Sequence, residues 1–176
     1  LFFAFMVISL KTDQIVTGLS LLIFSNGLAI YLYRIFFGSS RLPQVTPFRK
    51  YPIPGLSDIP IIGSIFFNQN VLTYLMYGLV IVSTIVIYRT IFGLRSSAVG
   101  ESPAAADTVG INVNLNRYLS VMLGGAFAGL AGAYFPLAEL GFYSNTMIGG
   151  RGYIALALVV FGKWNPLLAL LGGIIF

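Results

Sequence analysis

Tyr118-Leu-Ser-Val-Met-Leu-Gly-Gly-Ala-Phe-Ala-Gly-Leu-Ala-Gly-Ala-Tyr-Phe-Pro-Leu-Ala138 runs from Arg117 to Glu139 without a charged residue. It is about as long as the ~20 residues that carry a helix across ~30 Å of hydrocarbon. Gly125, Gly129 and Ala133 form one ridge of small residues at four-residue spacing, and Gly124, Ala128 and Gly132 form a second beside it. Small residues let helices approach closely where lipid offers no hydrophobic drive for association. Two such ridges on one helix call for close helical neighbours over a broad face, and therefore for a bundle.

The rest of the chain agrees. Hydrophobic residues make up 57% of it and charged residues 9%, against roughly a quarter charged in soluble domains. A soluble fold of this size could not hide that much apolar surface. In a bilayer the apolar side chains need no protein partner, and the constraint becomes satisfying every backbone group within helices. A second uncharged stretch lies between Asp13 and Arg34, and a third runs from Ile59 to Tyr88. The third is broken early by Pro60, Gly63, Asn68, Gln69 and Asn70, so its crossing is expected at Val71 to Tyr88. Leu1 to Leu10 reads as the end of one spanning helix, Lys11-Thr12-Asp13 as a tight turn, and Gln14 to Tyr33 as the return, locally thin at Gly18, Gly27 and Ala29.

The fold class is therefore all-α: a polytopic helical membrane protein with about five to six membrane segments. Residues 1–176 read as one transmembrane domain. The apolar runs at Leu1 and Phe176 look like cuts through helices, so further helices are expected on both sides.

From Phe37 to Asn70 the character changes. Pro43, Pro47, Pro52, Pro54 and Pro60 forbid a long helix. This segment, with Arg41, Arg49, Lys50 and Asp58, is expected outside the hydrocarbon, with a short interfacial helix near Ile61 to Phe67.

Several functions are excluded or weakened by composition. The chain has no cysteine and no histidine, so it lacks disulfides, thiolate metal sites and the commonest general base and metal ligand. An intramembrane enzyme would need a nucleophile with its base, or metal ligands. A secondary transporter needs buried ionisable groups for its coupling ions, and the clear spans contain none. Net charge is +5, but Lys and Arg are scattered over several loops, which points to lipid headgroups rather than nucleic acid.

The segment 89–117 is more polar and carries both signs of charge. Within it Ser102 is placed as an N-cap, Pro103 as first helical residue, Ala104 to Ala106 as strong helix formers and Gly110 as the residue beyond the C-terminus. About two turns result, too short to be stable alone in water. Such a helix needs a surface to lie on: either the ends of its own membrane helices, or a separate soluble subunit that uses it as a lever.

Further on, only uncharged residues separate Arg151 from Lys163, enough helix for about half a bilayer. A half-crossing or strongly tilted helix follows. Gly149, Gly150 and Gly152 are expected to permit a tight turn before it, and Pro166 to start another helix. Glu139, Phe142, Tyr143, Asn145 and Arg151 fall where irregular backbone is tolerated only against protein or water. They are candidates for a substrate pathway, since aromatic faces stack on bases or sugars and Asn both donates and accepts. The alternative is an interfacial aromatic belt with two ordinary charges.

Arg95 to Val113, followed by Arg117-Tyr118 and the small-residue helix, resembles the cytoplasmic coupling segment of ABC importer permeases of the branched-chain amino acid, simple-sugar and nucleoside group. Gly149-Gly-Arg-Gly-Tyr-Ile-Ala-Leu-Ala-Leu-Val-Val-Phe-Gly-Lys-Trp-Asn-Pro166 resembles the same family, as does the loop with Leu56-Ser-Asp-Ile-Pro60. The likeness is nearest to permeases that work with basic-membrane-protein lipoproteins. Ser96-Ser97 departs mildly from the pattern, where a more basic residue is expected.

The resemblance implies a multi-pass permease in the plasma membrane of a prokaryote, importing a small polar solute such as a nucleoside or simple sugar. It implies four kinds of neighbour: an ABC ATPase subunit that holds ATP and Mg, a second permease subunit (a paralogue or a copy), an extracytoplasmic substrate-binding lipoprotein, and membrane lipid. It makes 89–117 a cytoplasmic coupling loop and 37–70 a non-cytoplasmic loop. The positive charges do not decide this orientation, because Arg34, Arg41, Arg49 and Lys50 oppose Lys11, Arg89, Arg95 and Arg117. The coupling element would comprise Arg95, Gly100, Glu101, Pro103, Ala105, Asp107 and Gly110, with Glu101 and Asp107 paired to basic groups of the ATPase or simply solvated. No cofactor is expected on this chain. A phosphate loop of the Gly-x-x-x-x-Gly-Lys-Ser/Thr type is missing, since Gly162-Lys163 is followed by Trp164 and Ala157 holds the first glycine's place.

Overall fold

A computed structural model describes residues 1–38, 46–52, 67–144 and 147–175. Among these, three helical stretches are long and apolar enough to cross a membrane: Gln14–Phe37, Val71–Arg89 and Val113–Leu140. The described residues fall into two compact units. One holds the N-terminal helices and Ile87–Ala131; the other holds a small hairpin, the helix leading up to Val86, and everything from Gly132 onward.

In the first unit, α1 (Phe2–Ala4) continues as a wider π-helical turn over Phe5–Ser9. The turn to the next helix is knitted by side chains. Thr12 Oγ1 donates to the Met6 carbonyl at 2.9 Å, and Asp13 Oδ1 accepts from the amides of Ile15 and Val16 at 2.9 and 3.0 Å. Asp13 thereby caps α2 (Gln14–Phe37) and satisfies two of its otherwise orphaned N–H groups. The 24 residues of α2 rise about 36 Å, longer than the Gln14–Tyr33 crossing read from the sequence. Gly18 lets the Phe3 ring come within 4.0 Å of where a Cβ would stand, so one of the thin places expected on this helix is used by α1.

In the second unit, β1 (Lys50–Pro52) pairs antiparallel with β2 (Asn68–Asn70), in the register Lys50 to Asn70 and Pro52 to Asn68. The sequence did not disclose this pairing. Tyr74, in the first turn of α3 (Val71–Arg89), bolts the pair together: its hydroxyl donates to the Tyr51 carbonyl at 3.1 Å and accepts from the Gln69 amide at 3.2 Å. The expected interfacial helix near Ile61 to Phe67 lies outside the described residues except for Phe67, which is in a bend.

Three further helices follow: α4 (Ile91–Glu101), α5 (Pro103–Thr108) and α6 (Val113–Tyr134). The last continues as a π-helical turn over Phe135–Leu140 that contains Pro136. Proline lacks an N–H and its ring clashes with the carbonyl four residues back. The switch to five-residue hydrogen bonding, completed by the Gly141 amide on the Pro136 carbonyl at 3.1 Å, relieves that clash within a continuous apolar helix. Gly141, at φ +71, ends the helix. Along α6, a methyl group added at Gly124, Gly125, Gly129 or Gly132 would meet nothing within 4 Å among the described residues, so the glycines of the two ridges have room beside them.

The C-terminal part is a helical hairpin of α7 (Arg151–Phe161) and α8 (Pro166–Ile175). Gly149 and Gly150 take the left-handed turn expected of them, whereas Gly152 lies inside α7. At the hairpin tip the Trp164 amide reaches the Val159 carbonyl at 3.1 Å and the Lys163 amide reaches that of Val160 at 3.0 Å. This double closure puts Lys163 in the left-handed conformation normally given to glycine, at φ +50, and Trp164 follows at φ +61. Each such non-glycine residue costs roughly 1–2 kcal/mol. Asn165 then caps α8, its Oδ1 accepting from the Leu167 amide at 2.9 Å. The helices run antiparallel and very close, because a Cβ at Gly162 would stand 2.8 Å from the Ala169 amide nitrogen and one at Gly172 would stand 3.1 Å from the Leu158 side chain.

Candidate functional site

Segment 89–117 is built from caps. Thr90, in extended conformation, starts α4, its Oγ1 accepting from the Gly93 amide at 3.4 Å. Ser102 is shared by two helices: its amide closes α4 on the Ala98 carbonyl at 3.0 Å, while its Oγ accepts from the Ala105 amide at 3.4 Å and opens α5. One extended residue, at φ −150 and ψ 98, therefore makes the elbow between them. Pro103 occupies the first helical position, where its missing N–H costs nothing.

The far end of α5 closes equally fully. The Gly110 amide donates to the Asp107 carbonyl at 2.9 Å and the Ile111 amide to the Ala106 carbonyl at 3.1 Å, with Gly110 at φ +82. This paired closure is the Schellman arrangement, which needs a left-handed residue at Gly110. Asn112 follows at once as cap of α6, its Oδ1 accepting from the Leu115 amide at 2.9 Å. Gly110, Ile111 and Asn112 thus convert one helix end into the next helix start.

Within the short helix only Ala106 is buried, at 3% exposed. Val99 of α4 and Asn116 of α6 are buried nearby in sequence. Ser120 Oγ donates to the Asn116 carbonyl at 2.9 Å and lies 3.3 Å from Ser96 Oγ, joining α4 to α6. Of Ser96-Ser97, where the family resemblance leads one to expect a more basic residue, Ser96 makes this contact and Ser97 is exposed.

The residues singled out from the sequence are all solvent-facing: Arg95, Gly100, Glu101, Pro103, Ala105, Asp107 and Gly110. Neither Glu101 nor Asp107 has an ion pair among the described residues. Val109, 74% exposed, adds an apolar residue. An open groove of about 660 Å³ lies alongside, lined by Pro103, Ala104, Asp107, Gly110, Ile111 and Asn112. The expectation of one short helix needs correcting in one respect. Gly100 and Glu101 belong to the end of α4, a second helix that the sequence did not reveal, and Gly100 has neither a positive φ nor any neighbour within 4 Å of a Cβ.

The pathway candidates are partly brought together. Arg151 Nη1 lies 3.4 Å from Glu139 Oε2, and its guanidinium carbon sits 5.0 Å over the Phe135 ring. Phe135 was missed by sequence reasoning, although its place four residues before Glu139 on the same helix face was visible. Phe142 and Tyr143 follow the helix end at Gly141, the first exposed and the second half-buried. Asn145 lies outside the described residues. Asn70 was also missed: it is buried and its Nδ2 donates to the Ala138 carbonyl at 3.0 Å, while the Phe48 amide reaches the Leu137 carbonyl at 3.0 Å. The hairpin is thereby anchored on the very turn that carries Glu139.

Comparison with known proteins supplies relatives along the whole chain. It is 39% identical over 171 residues to the guanosine ABC transporter permease protein NupQ of Bacillus subtilis, covering 96% of this chain and 54% of that protein. It is 39% identical over 170 residues to the nucleoside ABC transporter permease protein NupC of Lactococcus lactis, with coverage of 96% and 54%. With a putative glucose ABC transporter permease protein of Haloferax volcanii it shares 41% identity over 178 residues, covering 98% of this chain and 53% of that protein. The chain thus spans about half the length of these curated relatives. No solved structure matches. The family model described as "Branched-chain amino acid transport system / permease component" matches residues 1–176, and the chain belongs to that family.

Proposed function

We propose that this chain is the membrane-spanning permease part of an ATP-driven ABC importer in the plasma membrane of a prokaryote, carrying a nucleoside or a simple sugar. The observation that carries this reading is the α4–Ser102–α5 elbow. Its helix ends are closed at Thr90, Ser102 and Gly110, and its outer face offers Glu101, Asp107 and Val109 to a partner. A two-turn helix buried through Ala106 alone contributes little to the fold; its capped, protruding form suits a handle.

The partner is an ABC ATPase subunit, which holds ATP and Mg and performs the hydrolysis. When that subunit moves, the elbow moves with it as one piece, because its caps leave few free backbone groups to give way. The motion reaches the membrane through two routes: the Ser96–Ser120 contact into α6, and the Gly110–Asn112 junction into the same helix. Basic groups on the ATPase pair with Glu101 and Asp107. A second permease subunit lies against the open glycine ridges of α6, and a substrate-binding lipoprotein delivers the solute. Nucleoside and sugar are favoured because relatives named as guanosine, nucleoside and putative glucose permeases align over nearly all of this chain.

The test is co-purification of the full-length permease with its ATPase, followed by uptake in liposomes. Asp107→Lys combined with Glu101→Lys is expected to release the ATPase and abolish uptake. Normal uptake by that double variant, with the ATPase still bound, would overturn the reading.

A further inference from the structure

We infer that Lys163 and Trp164, at the tip of the α7–α8 hairpin, line a solute site at about the middle of the membrane. The inference rests on the importer reading and adds to it a place where the solute is held. The indole would stack on the flat face of a base or sugar ring, and the ammonium would donate to its hydroxyls.

Depth comes first. The stretch from Tyr118 to Ala138 is uncharged and long enough to cross the hydrocarbon, so Glu139 marks one interface. Arg151 lies 3.4 Å from Glu139, and α7 therefore starts at that same interface. Its 11 residues rise about 16.5 Å, roughly half of the ~30 Å core, with no charge before Lys163. There the chain turns back, as the close approaches of Gly162 to Ala169 and of Leu158 to Gly172 require. The tip residues consequently sit deep in the membrane.

Chemistry comes second. A charged side chain and irregular backbone at that depth must face protein or a water-filled cavity, and ionisable residues so placed mark solute and ion pathways. Among the described residues these side chains are left open: Trp164 is 76% exposed and Lys163 has no ion pair. Glycine would fit both left-handed positions without strain, yet a cation and the chain's single tryptophan hold them. Strained residues kept at a turn of this kind are those whose side chains are put to use. Asn165 spends its oxygen on capping α8 and keeps its amide hydrogens for another acceptor. The hairpin contains no carboxylate between Arg151 and Ile175, which favours a neutral, hydroxyl-bearing solute over a coupling cation.

The experiment uses the complete transporter, with its ATPase and binding protein, in liposomes, with guanosine and glucose as probes. Trp164→Ala is expected to raise the KM for uptake about tenfold, the order of effect of losing one aromatic stacking contact, while Trp164→Phe stays near wild type and ATPase capture is unchanged in both. In parallel, Lys163→Cys in the membrane-embedded protein is expected to react with a small water-soluble maleimide, more slowly when the carried probe is present. Unchanged KM in Trp164→Ala, or a cysteine at 163 that does not react, would overturn the tip site while leaving the importer reading intact. Absence of ATP-dependent uptake of either probe by the wild type would count against the importer reading, and the cysteine reaction would still decide whether the tip is water-lined.

Discussion

Gly110→Ala is the most economical test of the elbow. Gly110 is held at φ +82 by two converging hydrogen bonds, from its own amide to Asp107 and from the Ile111 amide to Ala106. A Cβ there meets no neighbour within 4 Å, so the penalty is conformational rather than steric crowding by another residue. It amounts to roughly 1–2 kcal/mol for alanine in the left-handed region. Moving the residue out of that region instead would forfeit the two closing bonds, at about 0.5–1.5 kcal/mol each. Either way α5, whose six residues bury only Ala106, has little in reserve. A loss of about 1.4 kcal/mol lowers the population of the closed form about tenfold relative to open forms. Gly110→Asn should do far less harm, since asparagine tolerates the left-handed region. The assay is retention of the ATPase by nanodisc-embedded permease, read as an apparent Kd. Alanine should weaken binding up to about tenfold and asparagine by much less. Equal affinities for glycine, alanine and asparagine would refute the claim that this cap shapes the docking surface.

Three other outcomes are expected. Gly100→Ala should stabilise α4 by about 0.5–1 kcal/mol, because the glycine is helical and has no neighbour to clash with; Gly100→Trp should block ATPase capture by bulk, and thermal melting beside a pull-down separates the two effects. Gly162→Ala should cost about 1–3 kcal/mol and lower the yield of folded protein, since its methyl would stand 2.8 Å from the Ala169 nitrogen and 3.0 Å from the Leu158 carbonyl; Gly27→Ala, with open space around it, serves as the control. Glu139→Gln should change melting temperature little, because the pair with Arg151 is about half exposed on both sides, and a large loss of stability would show that the pair is enclosed in the assembled protein.

What the sequence disclosed was governed by local rules. Ser102, Pro103 and Gly110 announced helix ends because a cap acts within four residues of itself, and each stands where it was expected; Asp13, read as part of a turn, is in addition the cap of α2. That a helix too short for a full crossing follows Arg151 was legible in the uncharged interval between Arg151 and Lys163. Helix α4 was not, since Ile91-Phe-Gly-Leu-Arg-Ser-Ser-Ala-Val-Gly-Glu101 carries two glycines and two serines and shows no apolar stripe; contacts such as Ser96 with Ser120 stabilise it from a distance. The pairing of Lys50–Pro52 with Asn68–Asn70 joins residues far apart in sequence and depends on Tyr74, which no local pattern reports. Pro136 lies inside the uncharged run, and the π-helical turn that absorbs it keeps that run continuous and left no separate mark in the sequence. The residues proposed for the coupling element are all exposed, and their division between two helices emerged only with the backbone.

The most direct measurement is site-specific crosslinking in native membranes. The chain has no cysteine of its own, so Ala105→Cys and Asp107→Cys introduce unique reactive groups on the outer face of α5. Both are expected to react with thiol reagents only from the cytoplasmic side and to crosslink to the ATPase subunit, with the yield changing when ATP is bound. Labelling from the opposite side of the membrane, or no crosslink to any ATPase at either position, would contradict the account.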